Sequence, residues 1–346
     1  MTETTETSAP TELVPTDRLG PALVEATRDE RWAELRADLI SGGKSNLTFS
    51  LTSPAGEMIL RRPPTGDLLP RAHDMLREAR IQSALAATPV PTAGIVLADS
   101  GDLIGIQCYV MEKVPGHVIR DTIPDGFATT APARHALGMA FIETLAAIHA
   151  VDPGDVGLAD YGRPSGFVER QVRRWTTQWE RSATHEVPEV DELARRLAQR
   201  IPPQERSTIV HGDYRIDNCV FHPTDAARIN AVLDWELSTL GDPLADLGML
   251  LLFWRHPGEP DVSSLTPGVT HLGGFPERQD LIDRYAQLTG ADLEHLAVYT
   301  SLAHFKFAVI AQGVSVRARA GDMGGQDFGN LDHEVQAVAA AGLDLL

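Results

Sequence analysis

The feature that most constrains this chain is a change of texture part-way along it. Up to about residue 112 the apolar residues come in short alternating runs. From residue 131 they recur at helical spacing, as Leu137, Phe141, Leu145 and Ile148 do in HALGMAFIETLAAIHAVD. Alternation suits a sheet and a 3.6-residue period suits a helix. The chain therefore reads as an α+β fold of two lobes. A small β-sheet lobe spans 16–112, and a larger, mainly helical lobe spans 113–346. The first fifteen residues are Thr, Glu, Pro and Ser with little to bury, so a disordered tail is expected there. At 346 residues and 43% apolar, both lobes can hold a core.

Inside the small lobe, LTFSLTS and MILRRP flank PAGE and read as a hairpin, preceded by ISGGKSN as a Gly-rich loop between strands. RAHDMLREARIQSALAA reads as a helix ended by PVP, and GIVLADS and IGIQCYVMEKV as two further strands. The helical texture of the second half is broken once, at 208–236. There STIV, NCVFHP and INAVLDWE read as short strands, the last two forming a hairpin about TDAAR.

Between these strands HGDYRIDN crowds His211, Asp213, Arg215, Asp217 and Asn218 against the apolar end of STIV. Burying polar groups there is costly without partners, so the stretch is either a self-satisfied turn or a chemical site. Its spacing favours the second. Asp213 follows a strand, Asn218 lies five residues on, and the hairpin returns the chain so that Asp234 of VLDWE ends beside them. Oxygen donors converging in this way suit Mg²⁺. They are also the parts of phosphoryl transfer, in which one Asp orients or deprotonates a hydroxyl while an Asn and a second Asp hold metal on nucleotide phosphates.

Charge and cysteine content narrow the alternatives. A formal net charge of -18 argues against a nucleic-acid partner, whose binding surfaces are basic. Cys108 and Cys219 are too few for a disulfide framework and lack zinc-site companions, so both are expected as buried apolar residues. No apolar run reaches membrane-spanning length, and MTETTETSAPTE lacks a secretory signal, so no membrane partner and a cytoplasmic address are expected.

The ordered set SGGKSNLTFSL, MILRRPP, EKVPG, RQVRRWTTQWE, HGDYRIDN, VLDWELSTLGDPLADLG and AVIAQGVSVRARAGD resembles the aminoglycoside phosphotransferase and choline kinase superfamily. The closest likeness is to the kinase-like domain of large acyl-CoA dehydrogenases. The pattern HxDxxxxN alone would be weak; the set covers nearly the whole chain after the tail. The resemblance implies a two-lobed protein-kinase-like fold, ATP and Mg²⁺ as cofactors, and a small-molecule hydroxyl as acceptor. It implies Asp213 as catalytic base, with a buried turn aspartate as the competing reading, and Asn218 and Asp234 as Mg²⁺ ligands, with strand-end caps as theirs. His211 would position the loop, and Asp246 would brace it. Arg215 and Asp217 could be only a surface ion pair.

On the phosphate side the resemblance implies Arg61 in the place where protein kinases carry lysine, with Glu78 as its acid partner or else a solvated helical pair. Alternation sends Arg61 and Arg62 to opposite faces, so only one can serve. Gly42, Gly43, Ser45 and Asn46 would cover the phosphates with backbone amides, or else form a plain hairpin turn. Glu112 and Val114, in MEKV, would lie at a hinge whose backbone reads adenine, or in an ordinary linker. Asp242 before Pro243 would start a helix. Trp175 and Trp179, four apart, suit packing. The arginines of RQVRRW and SVRARAGD are either solvated or in contact with substrate. Two rivals stand beside a kinase: a pseudokinase-like module that binds nucleotide or a partner without transfer, suggested by the missing lysine, and a metal-dependent hydrolase, which would need a further metal-binding cluster.

Overall fold

The structure, a computed structural model, describes residues 13–40, 46–64, 73–204, 206–259, 262–266, 268–321 and 331–346. The chain forms two compact units. The first comprises Met1–Pro115 with Ala231–Glu236, and the second Gly116–Asn230 with Leu237–Leu346. The return of Ala231–Glu236 to the first unit is not foreseen by a boundary at residue 112.

In the first unit five strands make an antiparallel sheet. β1 (Arg36–Leu39), β2 (Leu47–Ser53), β3 (Gly56–Arg62), β4 (Ile95–Asp99) and β5 (Cys108–Glu112) take the order β1-β2-β3-β5-β4. Period-two alternation gives the sheet two different faces. On one, Met58 and Leu60 of β3 and Cys108 and Val110 of β5 pack with Leu19 and Leu23 of helix α1 (Thr16–Thr27) and with Val14. On the other, Ile59, Tyr109 and Met111 pack with Met75 and Ala79 of helix α2 (Met75–Leu85). Val14, within the stretch expected as a tail, is fully buried and its apolar side chain belongs to this core. Residues 1–12 lie outside the described set.

The second unit is helical, with α3 (Ala131–Ala150), α4 (Phe167–Ser182), α5 (Pro188–Ala198), α6 (Leu244–Phe253), α7 (Arg278–Thr289), α8 (Leu296–Ala320) and α9 (Leu331–Asp344) among the described residues. Four short strands interrupt it. β6 (Thr208–Val210) pairs antiparallel with β9 (Thr239–Gly241), a strand that three residues are too few to announce. β7 (Cys219–Phe221) and β8 (Ile229–Val232) form the expected hairpin, and β8 carries the chain back into the first unit. Both cysteines are buried and free. Among the described residues no helix is long and apolar enough to cross a membrane.

Candidate active site

In the first unit, alternation along β3 decides the roles of two adjacent arginines. Arg62 shares the α1 face and donates to the carbonyls of Pro63 (3.2 Å) and Leu13 (2.6 Å). Arg61 shares the α2 face, where its Nη1 lies 3.0 Å from Glu78 Oε2 and its Nη2 3.1 Å from Asp234 Oδ1. Glu78 is not a solvated helical residue: its side chain is 2% exposed. It also accepts from Tyr109 Oη at 2.9 Å and from Asn46 Nδ2 at 3.2 Å. Burial pushes the Glu78 carboxyl up to about 7, with the Arg61 guanidinium pulling the other way. Burial opposes the charge on Arg61, but Tyr109, Glu78 and Asp234 outweigh it and hold its pKa above the ordinary value. Asp234 takes the left-handed backbone region (φ 63°), uncommon for a residue with a side chain and a recurrent sign of a functional position.

In the second unit, a buried carboxylate builds the turn after β6. Asp246 of α6 accepts from the amides of His211 (2.6 Å) and Gly212 (2.8 Å) and meets His149 Nε2 of α3 at 3.2 Å. Desolvation opposes its ionisation, yet His149, His211 and the Gly212 amide hold its pKa below the usual value. Gly212 has φ +85°, and a Cβ there would come within 2.6 Å of the Leu237 carbonyl, so only glycine fits. His211, fully buried, accepts the Asp213 amide on Nδ1 at 3.2 Å. The Asp213 carboxylate is then presented 29% exposed, with Asn218 Nδ2 donating to Oδ2 at 3.1 Å and Arg215 Nε 3.2 Å from Oδ1.

Thus Asp213 and Asn218 meet as expected from their spacing, and His211 and Asp246 position the turn. Asp234 belongs to the first unit, beside Arg61 and Glu78. Gly42, Gly43 and Ser45, with Lys44, lie outside the described residues. Asn46 is a buried crosslink: its side chain is spent on Glu78, on Glu236 (2.9 Å) and on His73 Nδ1 (2.8 Å). Glu112 gives its amide to the Gly94 carbonyl at 2.8 Å, and Val114 packs beside Met75 and Met111, one residue before the first unit's Pro115 boundary. Arg215 is no mere surface partner of Asp217. Its side chain is 19% exposed and bridges Asp213 and Asp217 (3.1 Å), with Phe253 beneath it. Asp242 starts α6 by accepting the Leu244 amide at 3.1 Å. Trp175 and Trp179 are buried, and Arg319 pairs with Asp332.

Sequence reasoning missed Tyr109, whose hydroxyl holds Glu78, and Lys306 of α8, which donates to the Gly212 carbonyl at 2.5 Å. An alternating strand gives no sign of a buried hydroxyl's partner, and a lone lysine in an apolar helix reads as a solvated end.

Residues 36–266 match the model of the phosphotransferase enzyme family. Acyl-CoA dehydrogenase family member 11 of Homo sapiens is 38% identical over 324 residues, which is 91% of this chain and 40% of that protein. The chain thus spans about two-fifths of the length of the family member 11 relatives it matches, and 26% of acyl-CoA dehydrogenase family member 10 of Mus musculus. A crystal structure from Ralstonia eutropha, provisionally described as an aminoglycoside phosphotransferase, is 34% identical with a TM-score of 0.78, covering 90% of this chain and 92% of that one. A thermostable mutant of an aminoglycoside phosphotransferase, in ternary complex with ADP and hygromycin B, is 16% identical with a TM-score of 0.58 over 94% and 98% of the two chains, a likeness of fold alone.

Proposed function

The chain belongs to the phosphotransferase enzyme family, and from that premise we propose that it transfers the γ-phosphate of ATP, with Mg²⁺, to a hydroxyl of a small molecule. The observation that carries this reading is the Asp213 turn. A carboxylate held by Asn218 and Arg215, on a backbone pinned by Asp246, is oriented before any substrate arrives. It accepts the hydrogen bond of an incoming hydroxyl and takes its proton as the new O–P bond forms. The bond from the γ-phosphorus to the bridging oxygen breaks, and ADP leaves with the electron pair.

Each unit offers an oxygen donor of the kind this metal takes: the first a carboxylate, Asp234, and the second the amide oxygen of Asn218, whose Nδ2 is spent on Asp213. Hard oxygen donors of this kind hold Mg²⁺ when nucleotide phosphates and water complete its shell. The bound ion would neutralise charge on those phosphates. Among the described residues no group of three His, Cys, Asp or Glu side chains forms a metal cage, so the cluster a metal-dependent hydrolase would need gains no support. Arg61 supplies the fixed cation expected beside the phosphates; a guanidinium stays charged and can donate twice to one phosphate. Its presence in place of lysine favours a binding-only module, but its ion pair with a helix-borne acid is what that position needs for transfer.

Thermal denaturation with ATP and Mg²⁺ tests the reading without knowledge of the acceptor. A ligand bound only by the folded chain stabilises it by about 2.7 kcal/mol at a hundredfold excess over Kd. Asp234→Ala is expected to lose the Mg²⁺-dependent part of the shift, and Asp225→Ala, in the exposed turn of the β7–β8 hairpin, to keep it. If the wild-type protein gives no Mg²⁺-dependent shift at millimolar ATP, or Asp225→Ala loses as much as Asp234→Ala, the reading fails.

A further inference from the structure

Beside the Asp213 turn, wholly within the second unit, lies a cavity of about 60 Å³. Gln171, Arg174 and Trp175 of α4, the turn residue Gly212, and Tyr299 and Lys306 of α8 contribute to its walls. The lining holds two cations and a single carboxylate. That carboxylate, Asp246, is occupied by two backbone amides and His149. Nor is the aromatic wall open to a cationic guest. The Arg174 guanidinium stands 5.2 Å from the centroid of a Trp175 ring and the Lys306 ammonium 5.8 Å, so this chain's own cations already sit against the indole. Lys306 donates once, to the Gly212 carbonyl. An ammonium has three donors, and among the described residues the other two have no hydrogen-bond partner.

We propose that this cavity receives the acceptor and that the acceptor is a hydroxy compound bearing an anionic group, a carboxylate or a phosphate monoester, held by Lys306 and Arg174. The proposal rests on the phosphotransferase reading and names the substrate class for the same site. Asp213 is not itself in the wall, but Gly212, which lines the cavity, precedes it, and its charge reaches Lys306, so a guest anchored at Lys306 lies on the side of the turn that carries the proposed base. An ammonium-bearing acceptor would meet two like charges there and no uncommitted carboxylate. Burial draws the Lys306 pKa down against the opposing pull of Asp213 and Asp246, and a bound anion would add to that pull.

The acceptor need not be known to test this. The full chain with Mg²⁺ and γ-phosphate-labelled ATP is offered a small-metabolite extract divided by ion exchange into anionic, neutral and cationic fractions, and label in organic products is followed. Label is expected from the anionic fraction. Prior treatment of that fraction with phosphatase, removed before ATP is added, separates the two anions: an acceptor that survives is a carboxylate, and one that is lost is a phosphate monoester. With the anionic fraction as substrate, Arg174→Ala, an exposed change that leaves the core alone, is expected to raise KM roughly tenfold or more, by loss of one charge-assisted contact. Lys306→Met is expected to raise it further, and Lys306→Arg to restore part of the loss. Label confined to the neutral or cationic fraction overturns the proposal and leaves the phosphotransferase reading standing, as does an unchanged KM in Arg174→Ala and Lys306→Met together. Label from no fraction overturns both.

Discussion

Glu78 and Asp213 are each the acid at the centre of a polar cluster, one in each unit, yet the two units hold them by different means. Glu78 sits in the first unit with its side chain 2% exposed, held by a guanidinium, a phenol and an amide that are themselves largely buried. Asp213, in the second, is 29% exposed and held by an amide and a half-buried arginine on a turn that other residues pin through its backbone. A buried charge whose partner is removed has no water to turn to. A partly exposed one does. The first acid is therefore bound into the stability of its unit, whereas the second can lose its charge and leave its turn standing, as a group that must exchange a proton requires.

The sharpest way to break this comparison is to remove Arg61. Arg61→Ala leaves Glu78 and Asp234 without their counter-ion and is expected to cost about 3 kcal/mol of stability, as for other broken buried pairs. Arg62→Ala loses hydrogen bonds to two carbonyls and is expected to cost about 1–2 kcal/mol. Denaturant titration of the two variants measures both. Equal losses, or a larger one for Arg62, would mean that the Arg61 cluster does not carry its unit's stability.

Asp213→Asn probes the other side. The amide keeps the shape of the carboxylate but cannot take a proton, so turnover is expected to fall by roughly 10² or more while the melting temperature moves little. Measured with an acceptor from the anionic fraction, retained turnover would remove Asp213 from the base position. A large loss of stability would instead make it a structural acid like Glu78, and the contrast between the units would vanish.

The parts of this arrangement that could be read in advance are those in which periodicity decides direction. Alternation in MILRRP separates Arg61 from Arg62 whatever the fold, and HGDYRIDN places Asp213 and Asn218 within reach across one turn. Partners set by tertiary packing could not be read. α1 contains Gly20 and Pro21, poor helix formers, and exists because Leu19 and Leu23 are buried against the sheet. Asn46 sits in a stretch that reads as a phosphate loop, yet its amide is drawn inward by Glu78 and Glu236, residues 32 and 190 positions away. Lys306 lies on a helix apolar along most of its length, and only the carbonyl of Gly212 shows why a lysine is there.

The smallest effect sharpens the comparison from the side of pH. Burial raises Glu78 to about 7, above its ordinary value near 4.3 in an unfolded chain. Between these values the native state keeps a proton that the unfolded state has released. The contribution of Glu78 to stability is therefore fully present below about pH 4.3 and is lost as pH climbs through about 7, since stability falls with pH wherever the native state binds more protons. Glu78→Gln keeps an uncharged group of similar shape and cannot titrate. The stability of wild type relative to this variant is accordingly expected to decline across that window, by on the order of 1–3 kcal/mol, and to be level above about pH 8. Denaturant midpoints at a series of pH values give the difference directly. A difference that does not vary with pH, or that grows as pH rises, would mean that Arg61 outweighs burial and keeps Glu78 ionised throughout, making the first unit's acid a permanent half of an ion pair.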